Sequence, residues 1–148
     1  MVTRPADVRI DDLAAPQFPA DVEAIRSAMS AMGAELHLEP DELLATAAGQ
    51  TGLDDFGDPG FRVPLAVLCD ALRTEAGLSP AGVTSAWTQI VMLLKNRLLV
   101  EDVLTRHPEI HELRIERPII IAGLPRTGTT HLHNLMSADP ALRSLPYW

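Results

Sequence analysis

One stretch near the C-terminal end constrains the fold more than any other part of the chain. It runs from Arg117 to Thr130 and reads RPIIIAGLPRTGTT. The three isoleucines between Pro118 and Gly123 predict a short buried strand of the parallel type. A loop rich in Gly and Pro follows, and Thr129 or Thr130 is expected to open a helix. This order directs backbone N–H groups and the positive end of a helix dipole at one spot, which suits an anion.

The spacing of the glycines in this loop is close to that of the phosphate-binding loop G-x-x-x-x-G-K-[ST]. Gly123 and Gly128 are five residues apart, but Thr129 stands where that motif has its lysine. The positive charge lies inside the loop instead, at Arg126. The loop is therefore predicted to bind a phosphate-like group through a different placement of the cation.

With this displaced cation, the segment Leu124–Thr130 resembles the 5′-phosphosulfate-binding loop of sulfotransferases. These enzymes use 3′-phosphoadenosine 5′-phosphosulfate (PAPS) as sulfuryl donor. The form P-R-x-G-T-T is most similar to the branch with tyrosylprotein sulfotransferases and many bacterial relatives, since cytosolic sulfotransferases usually carry lysine at the cationic position. Residues 96–102 and 107–110 also resemble actinobacterial members of this branch, so the resemblance covers roughly residues 50–148.

The resemblance implies a role for each residue of the loop. Backbone N–H groups of residues 127–130 cradle the 5′-phosphate, and two threonine hydroxyls donate to its oxygens. Arg126 reaches the bridging oxygen or the sulfate and stabilises the charge that develops on the leaving group. The glycines let the backbone approach the ligand. The implied donor-binding residues are Gly123, Pro125, Arg126, Thr127, Gly128, Thr129 and Thr130, with Arg126 also catalytic.

Other groups that such an enzyme needs are not assigned to residues of this chain. The resemblance implies a glutamate base downstream of the loop, and an arginine and a serine for the 3′-phosphate, and none is identified here. His131 lies in the first turn of the new helix, where it can serve as a neutral base or as an ordinary polar residue. His131 and His133 do not share a helix face, so no metal site is predicted.

Charge and composition restrict the function classes. The net charge is −8, which argues against a nucleic-acid surface. Residues 111–148 nevertheless carry four basic against three acidic side chains, the sign that an anionic ligand requires. No signal peptide and no apolar run of membrane-spanning length are visible, so a cytoplasmic location is expected. The single cysteine, Cys69, excludes an internal disulfide and is expected to be a buried apolar residue.

The remaining pattern predicts three regions. Residues 1–19 form an extended lead-in, residues 20–107 a helical region, and residues 116–148 the start of a P-loop-like sulfotransferase domain. Four helices are predicted, over about 20–34, 40–49, 62–75 and 80–107, by apolar periodicity and by Pro and Gly at their ends. The predicted fold class is therefore α/β, an incomplete parallel sheet preceded by an all-α region.

One strand with its helix does not cover both faces of a parallel sheet, so the chain is interpreted as the N-terminal part of a sulfotransferase. Its acceptor is a hydroxyl of a small molecule, a lipid or a glycan. Two alternatives remain. One is a kinase or NTPase with a degenerate phosphate loop, which requires Mg²⁺-dependent ATP binding. The other is a non-catalytic helical module that pairs with another chain.

Overall fold

A computed structural model describes residues 15–124 and 126–144 of the chain. These residues form five α-helices and two short 3₁₀ helices, at Pro59–Phe61 and Pro108–Glu112. The chain divides into two compact units, Met1–Ile110 and His111–Trp148, which are described separately. The α-helices are α1 Ala20–Gly33, α2 Pro40–Thr51, α3 Arg62–Thr74, α4 Pro80–Arg106 and α5 Thr129–Ser137.

The predicted α/β class is wrong for the described part of the chain. Helices make up 64% of it, and it contains no strand. Ile119 and Ile120, expected in a buried strand, are 60% and 81% exposed. A run of β-branched residues shows that a segment suits a sheet, but a strand forms only when a second backbone pairs with it. No described residue supplies that partner. Residues 141–144 also form no strand.

The long helix α4 organises the first unit, and its ends lie where the sequence predicts them. The hydroxyl of Ser79 accepts a hydrogen bond from the Gly82 amide at 3.2 Å, and Pro80 occupies the first helical position. His107 ends the helix directly before Pro108. Proline fits the first turn of a helix because an N–H at that position would have no acceptor within the helix. A proline beyond the last turn stops the helix. No helix among the described residues has the length and apolar character needed to cross a bilayer.

The core of the first unit is built around α2, which packs against the inner face of α4 and against α3. Leu43, Cys69 and Leu98 are completely buried. Burial raises the pKa of the Cys69 thiol, since the interior disfavours the thiolate, and the expected apolar role of Cys69 is confirmed. The buried hydrophobic residues are Leu38, Leu43, Leu44, Ala47, Phe56, Leu65, Cys69, Ile90, Val91, Leu94 and Leu98.

Arg97 on α4 fixes the loop between α2 and α3. Its Nε donates to the Phe56 carbonyl at 2.5 Å, and its Nη2 donates to the Asp58 carbonyl at 2.9 Å. The guanidinium also lies 4.4 Å from the ring centroid of Phe61. One side chain thus satisfies two loop carbonyls and covers an aromatic face, which explains how an irregular segment can seat Phe56 in the core.

Helix α1 packs on α4 through its C-terminal turn. Gly33 is its buried residue, and the hydroxyl of the buried Thr84 donates to the Met29 carbonyl at 2.7 Å. Two large apolar side chains of α1, those of Ile25 and Met32, are 61% and 55% exposed, so apolar periodicity does not mark the face that makes this contact. The contact between the two helices depends on Gly33, which has no side chain and lets the backbones of α1 and α4 approach closely.

This close approach gives a stability prediction for Gly33→Ala. An added β-carbon would overlap the carbonyl group of Pro80 and lie 2.8 Å from Thr84 Oγ1. We expect a loss of about 1–3 kcal/mol, because backbone atoms must move apart. Gly49→Ala is the matched control, since Gly49 is a helical glycine with nothing near its β-carbon position. That change should stabilise by about 0.5–1 kcal/mol. Urea titration of both variants measures the difference, and an equal effect would contradict the prediction.

Candidate functional site

The loop before α5 closes on itself through Thr127. Its amide donates to the Leu124 carbonyl at 3.3 Å, and its hydroxyl donates to the same oxygen at 2.7 Å. A β-carbon at Gly123 would lie 2.7 Å from Thr127 Oγ1 and 2.9 Å from the Thr129 methyl. Gly123 is therefore needed for contacts within the loop itself. The hydroxyl of Thr127 is already committed as a donor, so towards a ligand it can only accept.

Gly128 turns the chain into α5. It has a φ of 93°, in the left-handed region that favours glycine, and it is the N-cap residue of the helix. Its carbonyl accepts the first helical hydrogen bond, from the Leu132 amide at 3.0 Å. No side chain caps this end. The amides of Thr129, Thr130 and His131 precede the first helical hydrogen bond and have no intrahelical acceptor. They form a group of donors at the positive end of the helix dipole.

Arg126 is held in an unusual backbone conformation beside these amides. Its φ is 67°, which costs an L-residue roughly 1–2 kcal/mol relative to the right-handed region. The side chain is exposed, and no described residue forms an ion pair with it. Strained backbone of this kind clusters at functional sites, where the surrounding structure holds it in place. The guanidinium is thus uncommitted and lies two residues before the uncapped helix end.

A cleft in the second unit lies between the isoleucine segment and α5. Its volume is about 350 Å³, and its lining residues are Ile119, Ile121, Thr129, Thr130 and His133. The structure brings two of the predicted binding residues, Thr129 and Thr130, to this cleft. It does not bring His131 there. His133 is a lining residue that the sequence reasoning did not assign to the site, although its spacing of four residues from Thr129 places both on one helix face.

The other predicted site residues divide into two groups. Gly123, Arg126, Thr127 and Gly128 lie in the loop, but none of them lines the cleft. Pro125 lies outside the described residues. Their roles towards a ligand remain predictions, as do those of the threonine hydroxyls.

No carboxylate among the described residues of this unit is placed as a base at the cleft. Asp139 accepts a hydrogen bond from the Ala141 amide at 2.9 Å and stabilises the turn after α5. Glu116 lies 3.7 Å from the guanidinium of Arg114. Neither lines the cleft. The arrangement thus presents amide donors at a helix end, and among the described residues of this unit no carboxylate is placed to take a proton from an acceptor.

One of three comparisons with known proteins found a match. A family model described as the sulfotransferase family matches residues 118–148, which contain the whole loop and α5. The matched part is about a fifth of the chain, and it is similar to sulfotransferases. The match does not extend to residues 50–117, where the resemblance stays a prediction. No curated protein and no solved structure matches the chain.

Proposed function

We propose that the chain carries the donor-binding part of a PAPS-dependent sulfotransferase. The proposal rests on one observation, which is that the family match and the exposed helix end fall on the same residues. The residues similar to sulfotransferases include an uncapped helix N-terminus and, before it, an arginine that forms no ion pair with a described residue. A helix end of this kind binds phosphate or sulfate without further charge, and a nearby guanidinium adds charge-assisted hydrogen bonds.

The loop residues divide the binding task. The amides of Thr129 and Thr130 donate to the 5′-phosphate, and the two threonine hydroxyls add side-chain donors. Arg126 donates to the bridging oxygen or the sulfate. During transfer the bond from sulfur to the bridging oxygen breaks, and a bond to the acceptor oxygen forms. Arg126 favours this step because charge builds on the bridging oxygen as that bond breaks.

The remaining parts of the reaction fall to other segments of a larger sulfotransferase, of the bacterial, tyrosylprotein-sulfotransferase-like branch. We assign donor binding to residues 116–148, support to the helical residues 20–107, and a lead-in role to residues 1–19. The acceptor is a hydroxyl of a small molecule, a lipid or a glycan in the cytoplasm. Exposed apolar side chains on the outer face of α4 support further packing partners, because such a face is normally covered. They are Met92, Leu93, Leu99, Val100 and Val103.

Nucleotide binding tests the proposal. We expect the protein to bind adenosine 3′,5′-bisphosphate, the product of sulfuryl transfer, more tightly than ATP, with no requirement for Mg²⁺. Calorimetric titration of each nucleotide, with and without Mg²⁺, measures this preference. Tighter, Mg²⁺-dependent binding of ATP would instead favour a kinase or NTPase with an altered phosphate loop.

A further inference from the structure

His133 is the one side chain of the cleft that carries an ionisable group, and no role has been given to it so far. It lines the cleft together with Thr129 and Thr130. We propose that the His133 ring donates a hydrogen bond to the 5′-anionic group held by the loop, so that it is a further donor-binding residue. This inference rests on the proposed function, since it names one more contact to the same ligand.

The helix geometry directs the ring to the right place. His133 follows Thr129 by four residues, so the two lie on one face of α5, about 6 Å apart along the helix axis. Side chains on a helix point back towards its N-terminus and cover the preceding turn. The imidazole of His133 thus leans over the turn that presents the free amides. The His133 side chain is long enough to span most of the axial distance between His133 and Thr129.

The surroundings of the ring leave its N–H for a ligand. The opposite wall consists of Ile119 and Ile121, which carry no hydrogen-bonding side-chain atoms. Within the described part of the chain, no hydrogen bond engages the imidazole, whereas the His133 carbonyl accepts from the Ser137 hydroxyl at 2.8 Å. The ring is partly buried, so a donor there gains more from a charged acceptor than one in open water.

His131 supplies the contrast. It is exposed, it does not line the cleft, and it lies on another face of the same helix. The two histidines have the same chemistry and neighbouring positions, but only His133 has the direction that this contact requires. Substitutions at His131 therefore control for general effects on α5 and on the charge near the loop.

The test compares four variants in calorimetric titrations with adenosine 3′,5′-bisphosphate. We expect His133→Leu to weaken binding about tenfold, the scale of a hydrogen bond to a charged group. His133→Gln keeps an N–H donor and should stay within about threefold of the parent protein. His131→Leu and His131→Gln should change nothing. Far-ultraviolet circular dichroism checks that each variant keeps its helices.

Two further measurements separate a ligand contact from a structural role. Adenosine 5′-monophosphate keeps the 5′-group without the 3′-phosphate, so His133→Leu should weaken its binding by the same factor, about tenfold. In the parent protein, the ring resonances of His133 should shift on adding the bisphosphate, and those of His131 should not. A penalty with the bisphosphate but not with the 5′-monophosphate, or no shift at His133, would overturn the inference and leave the proposed function intact. Failure of the parent protein to bind the bisphosphate would overturn both.

Discussion

Replacing Arg126 with alanine should weaken binding of adenosine 3′,5′-bisphosphate by about 10- to 100-fold. The estimate follows from the loss of hydrogen bonds between a cation and an anion, about 1.5–3 kcal/mol. The free energy of unfolding should stay unchanged within about 0.5 kcal/mol. No described residue pairs with this guanidinium, and alanine adopts the 67° φ of Arg126 at a cost similar to that of arginine. Calorimetry measures the affinity, and urea titration measures the stability.

Two other arginine variants sharpen this experiment. Arg126→Lys keeps the charge but not the planar fork, and it should recover only part of the affinity. Arg117→Ala is the matched control, because Arg117 is also exposed and also has a positive φ, of 52°. It should leave nucleotide binding unchanged. Equal losses for Arg117→Ala and Arg126→Ala would show that only the net charge of the unit matters, and no loss for Arg126→Ala would refute its role.

The second large effect concerns stability. Leu98 is completely buried on the inner face of α4, and Leu98→Ala should destabilise the protein by about 2–5 kcal/mol. The loss combines the transfer free energy of the side chain with the cost of the cavity left behind. Urea titration followed by the helical circular dichroism signal measures it. An unfolded Leu98→Ala variant would agree with the upper end of this range, since whole domains are stable by only about 5–15 kcal/mol.

The neighbouring leucine is the control for this prediction. Leu99 is 48% exposed on the outer face of the same helix. Leu99→Ala makes the same chemical change and alters helix propensity in the same direction, but it opens no cavity in the core. It should cost less than about 1 kcal/mol. Similar losses at both positions would mean that the outer face of α4 is buried against another part of the protein.

The helices were largely predictable because their signals are local. Ser79 and Pro80 mark the start of α4, and His107 and Pro108 mark its end, as the structure confirms. The sequence also predicts that Thr129 or Thr130 opens α5, and the helix begins at Thr129. Capping, missing amide protons and left-handed backbone depend on a few adjacent residues, so the sequence carries them directly.

Predictions that depend on contact with a distant part of the chain were less accurate. Ile25 belongs to the apolar pattern of α1 and is 61% exposed, whereas the contact of this helix with α4 is made at Gly33. The isoleucine segment suits a sheet but has no paired strand among the described residues. The same limit applies to the site. The four-residue spacing of Thr129 and His133 places both on one face of α5, but it does not show that Ile119 and Ile121 form the opposite wall of the cleft.

By itself, the sequence determined the limits of α4, the start of α5, the cation at Arg126, and the likeness of the loop to a phosphosulfate site. These depend on residues within a few positions of one another, where backbone geometry and chemical type decide the outcome. Only the tertiary structure decided which face of each helix is buried, that Ile119 and Ile120 are exposed, and that His133 rather than His131 lines the cleft. Those outcomes depend on contacts between distant parts of the chain, because a side chain is buried only when another surface covers it.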